Sequence, residues 1–204
     1  MGSVVRFDTW IDPAFDAVLK GAGIDVRVAR RASREETFGI LKTARVLHVS
    51  AAKDELTKDW FVTEGLLARC PKVELVSSQG AGYDTIDVPA CTRAGVLVVN
   101  QAGGNAVSVA EHTLGLILSL LHRLGENDRL LRGTRRDFTR EDLMGREAKG
   151  RTLGLVGIGH VGTRVAALAR AFGMRVLAFD PLLSPSVIAE RGADSRTFEK
   201  LLEE

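Results

Sequence analysis

Short apolar, β-branched runs alternate along this chain with stretches whose apolar side chains recur every three or four positions. Runs at residues 4–7, 24–28, 46–49, 73–76 and 96–99 predict strands, each brief and rich in valine or isoleucine. Between them, residues 13–20, 34–42, 58–69 and 88–93 predict helices; in the third, Phe61, Val62, Leu66 and Leu67 fall at helical spacing. Such alternation calls for a parallel sheet covered on both faces. Residues 1–100 therefore predict one doubly wound α/β domain.

Residues 107–124 predict the longest helix, apolar nearly all round and hence a connector buried between layers. A polar stretch follows at 125–151, where Arg129, Arg132, Arg135, Arg136 and Arg140 interleave with Glu126, Asp128, Asp137, Glu141 and Asp142. That balance of signs predicts a solvated, ion-paired face or a subunit contact rather than an anion-binding patch. A second α/β unit opens at Thr152, with a strand, a helix at 163–172, a strand at 175–179 and a last helix at 195–202. Residues 101–204 are thus expected to form the second domain.

The strongest motif lies at the start of that unit. A strand runs straight into Gly157-Ile-Gly159-His160-Val161-Gly162 and then into an amphipathic helix. In a glycine turn of this spacing the first glycine permits the tight turn, the second lets backbone approach a pyrophosphate, and the third lets the helix pack against the strand. The phosphates would sit at the helix N-terminus, where free N–H groups and the helix dipole offset their charge. The next strand ends in Asp180, 18 residues past Gly162, where a ribose-binding acid belongs. Its carboxylate can accept hydrogen bonds from both adenosine ribose hydroxyls and would repel a 2′-phosphate, so NAD is expected over NADP.

Composition narrows the setting. With 28 Lys and Arg against 26 Asp and Glu the formal charge is +2, which gives no field directed at nucleic acid or an anionic membrane. The two cysteines, Cys70 and Cys91, have neither zinc-site spacing nor the density of a disulfide scaffold. Arg6 and Asp8 interrupt the N-terminal residues before an apolar block can form, and the longest apolar stretch, 113–121, is far short of the roughly 20 residues that span a bilayer. A cytoplasmic protein without membrane partners is expected.

Four motifs in order then carry a resemblance: the loop Gly80-Ala81-Gly82-Tyr83-Asp84-Thr-Ile-Asp87, the segment Asn105-Ala-Val-Ser-Val109-Ala-Glu111-His112, the glycine turn, and Phe179-Asp180-Pro181. Together they resemble the N-terminal portion of the D-isomer-specific 2-hydroxyacid dehydrogenases, with the stretch after Asp180 most like the phosphoglycerate and hydroxypyruvate branch. The resemblance implies a flavodoxin-like doubly wound N-terminal domain followed by the first half of a Rossmann dinucleotide-binding domain. It implies hydride transfer between NAD(H) and a small 2-hydroxy or 2-keto acid. Gly80, Ala81, Gly82 and Asn105 match substrate-binding positions. Ala81, Val109, Gly157, Gly159, His160, Val161, Gly162 and Asp180 match cofactor-binding ones. Glu111 and His112, about 100° apart on a helix, read as structural. A homodimer through the dinucleotide domain and residues 105–150 is implied as well.

The resemblance also marks what is missing. Hydride transfer needs a base, a cation and a group that orients the base, which in the family are a His, an Arg and a Glu belonging to motifs beyond the segment that matches Glu204. None of His48, His112, His122 and His160 follows a proline as the family's base does, so no catalytic residue is assigned within this chain. The helix that returns to complete the first domain in the family is missing too. The chain alone is therefore expected to be inactive. The alternatives are a non-catalytic NAD-sensing dimerisation module, or one chain of a split enzyme.

Overall fold

The computed structural model describes residues 3–134 and 137–204. They form two compact units, one ending at Asn105 and one starting at Ala106, so residues 101–105 belong with the first. Arg135 and Arg136 of the arginine-rich stretch lie outside the described residues.

The first unit runs β1 (Ser3–Phe7), α1 (Pro13–Gly21), β2 (Asp25–Ala29), α2 (Arg34–Leu41), β3 (Val46–Ser50), α3 (Glu64–Leu67), β4 (Leu75–Gln79), α4 (Val88–Arg93) and β5 (Leu97–Val99). Its five strands are parallel in the order β2-β1-β3-β4-β5, the flavodoxin-like arrangement. Local chemistry starts the helices: Asp12 accepts the Ala14 N–H and Asp87 that of Ala90, with Pro13 and Pro89 in the first turns. Val5, Leu47 and Val76 stand in register across the middle strands and are fully buried. With Phe7, Leu56 and Trp60 they anchor the core, at roughly 1.5–3 kcal/mol for each large apolar side chain removed from water.

The helix expected over 58–69 is broken. A 3₁₀ turn covers Lys58–Trp60, the chain extends through Val62, and α3 begins afresh after Thr63. Val62 forms a parallel bridge with Ile86, its N–H donating to Thr85 O at 2.8 Å and its carbonyl accepting from Asp87 N at 2.9 Å. Pairing across 20-odd residues overrides helical spacing here. The strand expected at 73–76 starts at Leu75, because the Val73 N–H closes a turn on Cys70 O.

The second unit comprises α5 (Ala106–Leu121), α6 (Leu124–Arg132), β6 (Thr152–Val156), α7 (His160–Ala171), β7 (Arg175–Phe179), α8 (Pro185–Glu190), β8 (Asp194–Ser195) and α9 (Phe198–Glu203). Strands β6, β7 and β8 are parallel neighbours in that order, the first mononucleotide half of a Rossmann domain. Ala166, Ala169, Val176, Ala178 and Ile188 form the core between sheet and helices. Neither α8 nor β8 is apparent as a run of the right period in the sequence. Ser195, expected to open the last helix, is in β8, and Thr197 caps α9 instead.

The connecting helix is shorter and barer than its composition suggests. It stops at Leu121, whose carbonyl accepts the Arg146 N–H at 2.7 Å, and Arg123 turns left-handed at φ 52° before α6 starts. Only Ala106, Ala110 and Leu114 of α5 are buried; Val107, Val109, Leu116 and Leu120 are exposed. In the stretch that follows, Arg132 pairs with Asp128 on the exposed surface of α6, as the interleaved charges predict, and Arg123, just before α6, pairs with Glu126. No helix among the described residues is long and apolar enough to cross a membrane.

Candidate functional sites

In the first unit, β4 ends in the loop Gly80–Ala81–Gly82, at the carboxyl edge of the sheet where doubly wound folds bind ligands. All three loop carbonyls are held. Gly80 O accepts the Gln101 N–H at 2.9 Å, Ala81 O accepts Asn100 Nδ2 at 2.8 Å, and Gly82 O accepts Ser78 Oγ at 2.5 Å. With its carbonyls tied by these bonds, the loop has backbone N–H groups to offer an anionic ligand. Ala81 and Gly82 are exposed, and a Cβ on Gly80 or Gly82 would meet only the Ala51 methyl, at 3.7 Å.

Asn105 is exposed and closes this unit; Val109 belongs to α5 of the other. Asn100 and Ser78, which set the loop's shape, escape sequence reasoning because an Asn after a strand and a Ser within one are generic.

In the second unit the glycine turn joins β6 to α7. Gly157 has φ +91°, a value that L side chains rarely adopt, and its N–H donates to Phe179 O at 2.7 Å. A Cβ on Gly162 would fall 2.4 Å from Gly157 O, so the third glycine lets α7 touch the end of β6. Gly159 faces open space, with nothing within 4 Å of the position its Cβ would take. Helix α7 starts at His160, inside the motif and earlier than the expected position 163. The N–H groups of its first turn, among them His160, Val161 and Gly162, have no acceptor in the preceding turn of helix.

Asp180 follows β7 directly and reaches across to that turn. Its Oδ2 accepts the Ile158 N–H at 3.0 Å and its Oδ1 the Leu182 N–H at 3.0 Å. These two backbone donors, and then the nearby charge of Arg191, hold the carboxyl below the usual carboxylate range. Asp180 therefore stays ionised throughout the neutral range. Each oxygen has a second lone-pair direction, so the carboxylate can still accept ribose hydroxyls.

Arg191, at the end of α8, donates from Nη1 to Ile158 O at 2.6 Å, and Thr163 Oγ1 donates to Gly159 O at 2.8 Å. A groove of about 440 Å³ beside the turn is lined by Gly159, His160, Thr163, Arg164 and Arg191. Open backbone at Gly159, the first-turn N–H groups, the cationic lining and the ionised acid fit the phosphates and ribose of a dinucleotide.

The chain is similar to known proteins along nearly its whole length. The family profile described as D-isomer specific 2-hydroxyacid dehydrogenase, catalytic domain, matches residues 4–204. The D-3-phosphoglycerate dehydrogenase of Rattus norvegicus is 34% identical over 191 residues, covering 94% of this chain and 34% of its own length. That of Bacillus subtilis is 40% identical over 142 residues, or 70% of this chain and 27% of the relative. Among solved structures, D-lactate dehydrogenase from Aquifex aeolicus, complexed with NAD and lactic acid, superposes with a TM-score of 0.76 at 28% identity, covering 98% of this chain and 58% of that one. The chain spans about a third of the length of the curated relatives it matches. On a family match running nearly end to end, the chain belongs to the D-isomer-specific 2-hydroxyacid dehydrogenase family.

Proposed function

We propose that this chain contributes the substrate-anion loop and the adenosine half of the cofactor site to a cytoplasmic, NAD-dependent D-2-hydroxyacid dehydrogenase. The reaction is hydride transfer between NAD(H) and a small 2-hydroxy or 2-keto acid. The observation that carries this reading is the bond from Ile158 N–H to Asp180, which holds the acid against the glycine turn and supports its role as ribose acceptor.

In this reading Asp180 accepts the two ribose hydroxyls and disfavours a 2′-phosphate. The N–H groups of Gly159, His160, Val161 and Gly162 take the pyrophosphate. Val109, on α5 of the second unit, is assigned a cofactor-binding role, and so, separately, is Ala81 in the first. When bound, NAD supplies the hydride chemistry, and the protein contributes position and electrostatics. The N–H groups of Gly80, Ala81 and Gly82 hold the substrate carboxylate, with Asn105 beside the substrate.

No residue of this chain is assigned the proton transfer: His48 is buried and held neutral by desolvation, and His160 stands at the cofactor turn. By itself the chain is proposed to bind without turning over. The exposed apolar residues of α5, together with Leu124, Leu131 and Met144, support a homodimer through residues 105–150.

Calorimetric titration of the chain with ADP-ribose tests the core of this reading. Saturable binding that weakens at least tenfold in Asp180→Ala is expected. Absence of binding at millimolar ligand, or binding indifferent to Asp180, would overturn it.

A further inference from the structure

The loop between β1 and α1 is tied at three points. At its start the Asp8 N–H donates to Ala29 O at 3.2 Å, and Asp8 Oδ1 accepts Arg31 Nε at 2.6 Å. At its end Asp12 accepts the Ala14 N–H at 2.8 Å and caps α1. In the middle, Gln79 Nε2 donates to Trp10 O at 2.9 Å, a bond between residues 69 apart in sequence. Strand β3 lies between β1 and β4, so the loop crosses the end of β3 to make that bond. Trp10 is thereby set beside Gly80, the residue that follows Gln79 and opens the anion loop.

The side chain of Trp10 is 79% exposed, whereas the other tryptophan, Trp60, is buried in the core. A tryptophan on a backbone held in this way offers a flat apolar wall at little conformational cost to a ligand that packs on it. Tyr83, directly after Gly82, is exposed as well. The cations nearby are poorly placed for a phosphate. Arg31 binds Asp8 through Nε and the Glu55 carbonyl through Nη1, at 2.6 and 2.7 Å. Lys53, in the segment after β3, is followed by Asp54 and Glu55, and Tyr83 by Asp84, all of them exposed.

We propose that Trp10 determines substrate choice: with the carboxylate of a 2-keto or 2-hydroxy acid on the Gly80–Gly82 N–H groups, the indole packs against an apolar side chain of that acid and selects it over a phosphorylated one. The proposal rests on the substrate-loop reading above and names the class of acid. A branched aliphatic group loses its water against the indole, which is favourable. A phosphate there loses hydration beside an apolar face and exposed carboxylates, without a cation fixed to receive it.

The test is an NMR titration of the isotope-labelled 204-residue chain with 4-methyl-2-oxopentanoate, pyruvate and 3-phosphoglycerate, in wild type, Trp10→Ala and Trp10→Phe. Amide shifts at Gly80–Gly82 report the carboxylate, and the Trp10 indole N–H reports the side chain. Because the Trp10 side chain is exposed and its carbonyl remains for Gln79, both variants are expected to fold, which circular dichroism checks. In wild type, 4-methyl-2-oxopentanoate is expected to bind at least fivefold more tightly than either other acid and to shift both sets of signals. Trp10→Ala should bring that ratio to within twofold of one, and Trp10→Phe should keep it above threefold.

Equal affinities or a preference for 3-phosphoglycerate in wild type, or a ratio that persists in Trp10→Ala, overturns the proposal. The substrate-loop reading then stands, because the Gly80–Gly82 amides still shift. If none of the acids shifts those amides at tens of millimolar, the loop reading falls and this inference with it.

Discussion

A Cβ on Gly162 would lie 2.4 Å from the carbonyl oxygen of Gly157, closer than real Cβ atoms come to any backbone oxygen, whereas a Cβ on Gly159 would meet nothing within 4 Å. Two glycines three residues apart thus serve opposite ends: one permits contact within the fold and the other keeps space clear outside it. Gly162→Ala should therefore cost about 1–3 kcal/mol through overpacking, seen as a fall of several degrees in Tm. Gly159→Ala should melt within about 0.5 kcal/mol of wild type yet weaken ADP-ribose binding fivefold or more, since its methyl stands in ligand space. Paired melting and titration curves separate the two; a Gly159→Ala chain that binds like wild type would contradict the role given to that glycine.

Buried His48 makes stability depend on pH. It lies on β3, 3% exposed, with Nδ1 3.1 Å from Ser77 Oγ and the Phe15 ring tilted against it at 4.5 Å; Nε2 is without a partner among the described residues. Desolvation first, and then the charge of Arg6, pushes its pKa down to about 4. The unfolded chain takes up this proton near the ordinary value of 6.5 and the folded chain only near 4, so stability is full above pH 6.5 and is lost as pH falls through that window. The loss between pH 6.5 and 5 is roughly 2 kcal/mol. The carboxylates of Asp8 and Asp16, held low by Arg31 and Arg6, keep their charge in this range. Urea melts at pH 7.5 and 5 should show the loss in wild type and not in His48→Gln.

Asn100 holds Ala81 O at 2.8 Å, and with Gln101 and Ser78 it keeps the loop's carbonyls turned inward. Asn100→Ala frees one of them. Amide exchange at Ala81–Tyr83 is expected to accelerate several-fold, while global stability falls by about 0.5–1.5 kcal/mol, the ordinary worth of one hydrogen bond. Unchanged exchange in that loop would show that Asn100 does not set its shape.

Leu116 is 53% and Leu120 78% exposed on α5, a position that costs solubility unless a second surface covers it. If the proposed dimer uses this face, the double substitution Leu116→Glu and Leu120→Glu should shift sedimentation from dimer to monomer without lowering Tm at dilute concentration. Dimer persisting in the variant would move the interface elsewhere.

What could be read from residue order alone was whatever depends on local period and on short fixed spacings. The β-branched runs became β1 to β5, β6 and β7 because a short apolar run has one low-energy use in a sheet covered on both faces. The glycine turn and Asp180 were legible because turn, helix and acid are tied by the length of one strand-helix-strand unit.

Tertiary structure decided the rest, through partners distant in sequence. Val62 left its helical period to pair with Ile86. Helix α5 ended where Arg146 took the carbonyl of Leu121, and of its apolar side chains Ala106, Ala110 and Leu114 were buried while Val107, Val109, Leu116 and Leu120 were left exposed. Strand β8 contributes two residues and exists only because β7 offers it an edge. Arg191 reached the glycine turn because α8 brings the chain back beneath it, and the loop at Gly80 acquired its shape from Ser78, Asn100 and Gln101. Hydrogen bonds of this kind leave no period in the sequence, since their strength depends on where backbone atoms arrive and not on how many residues separate them.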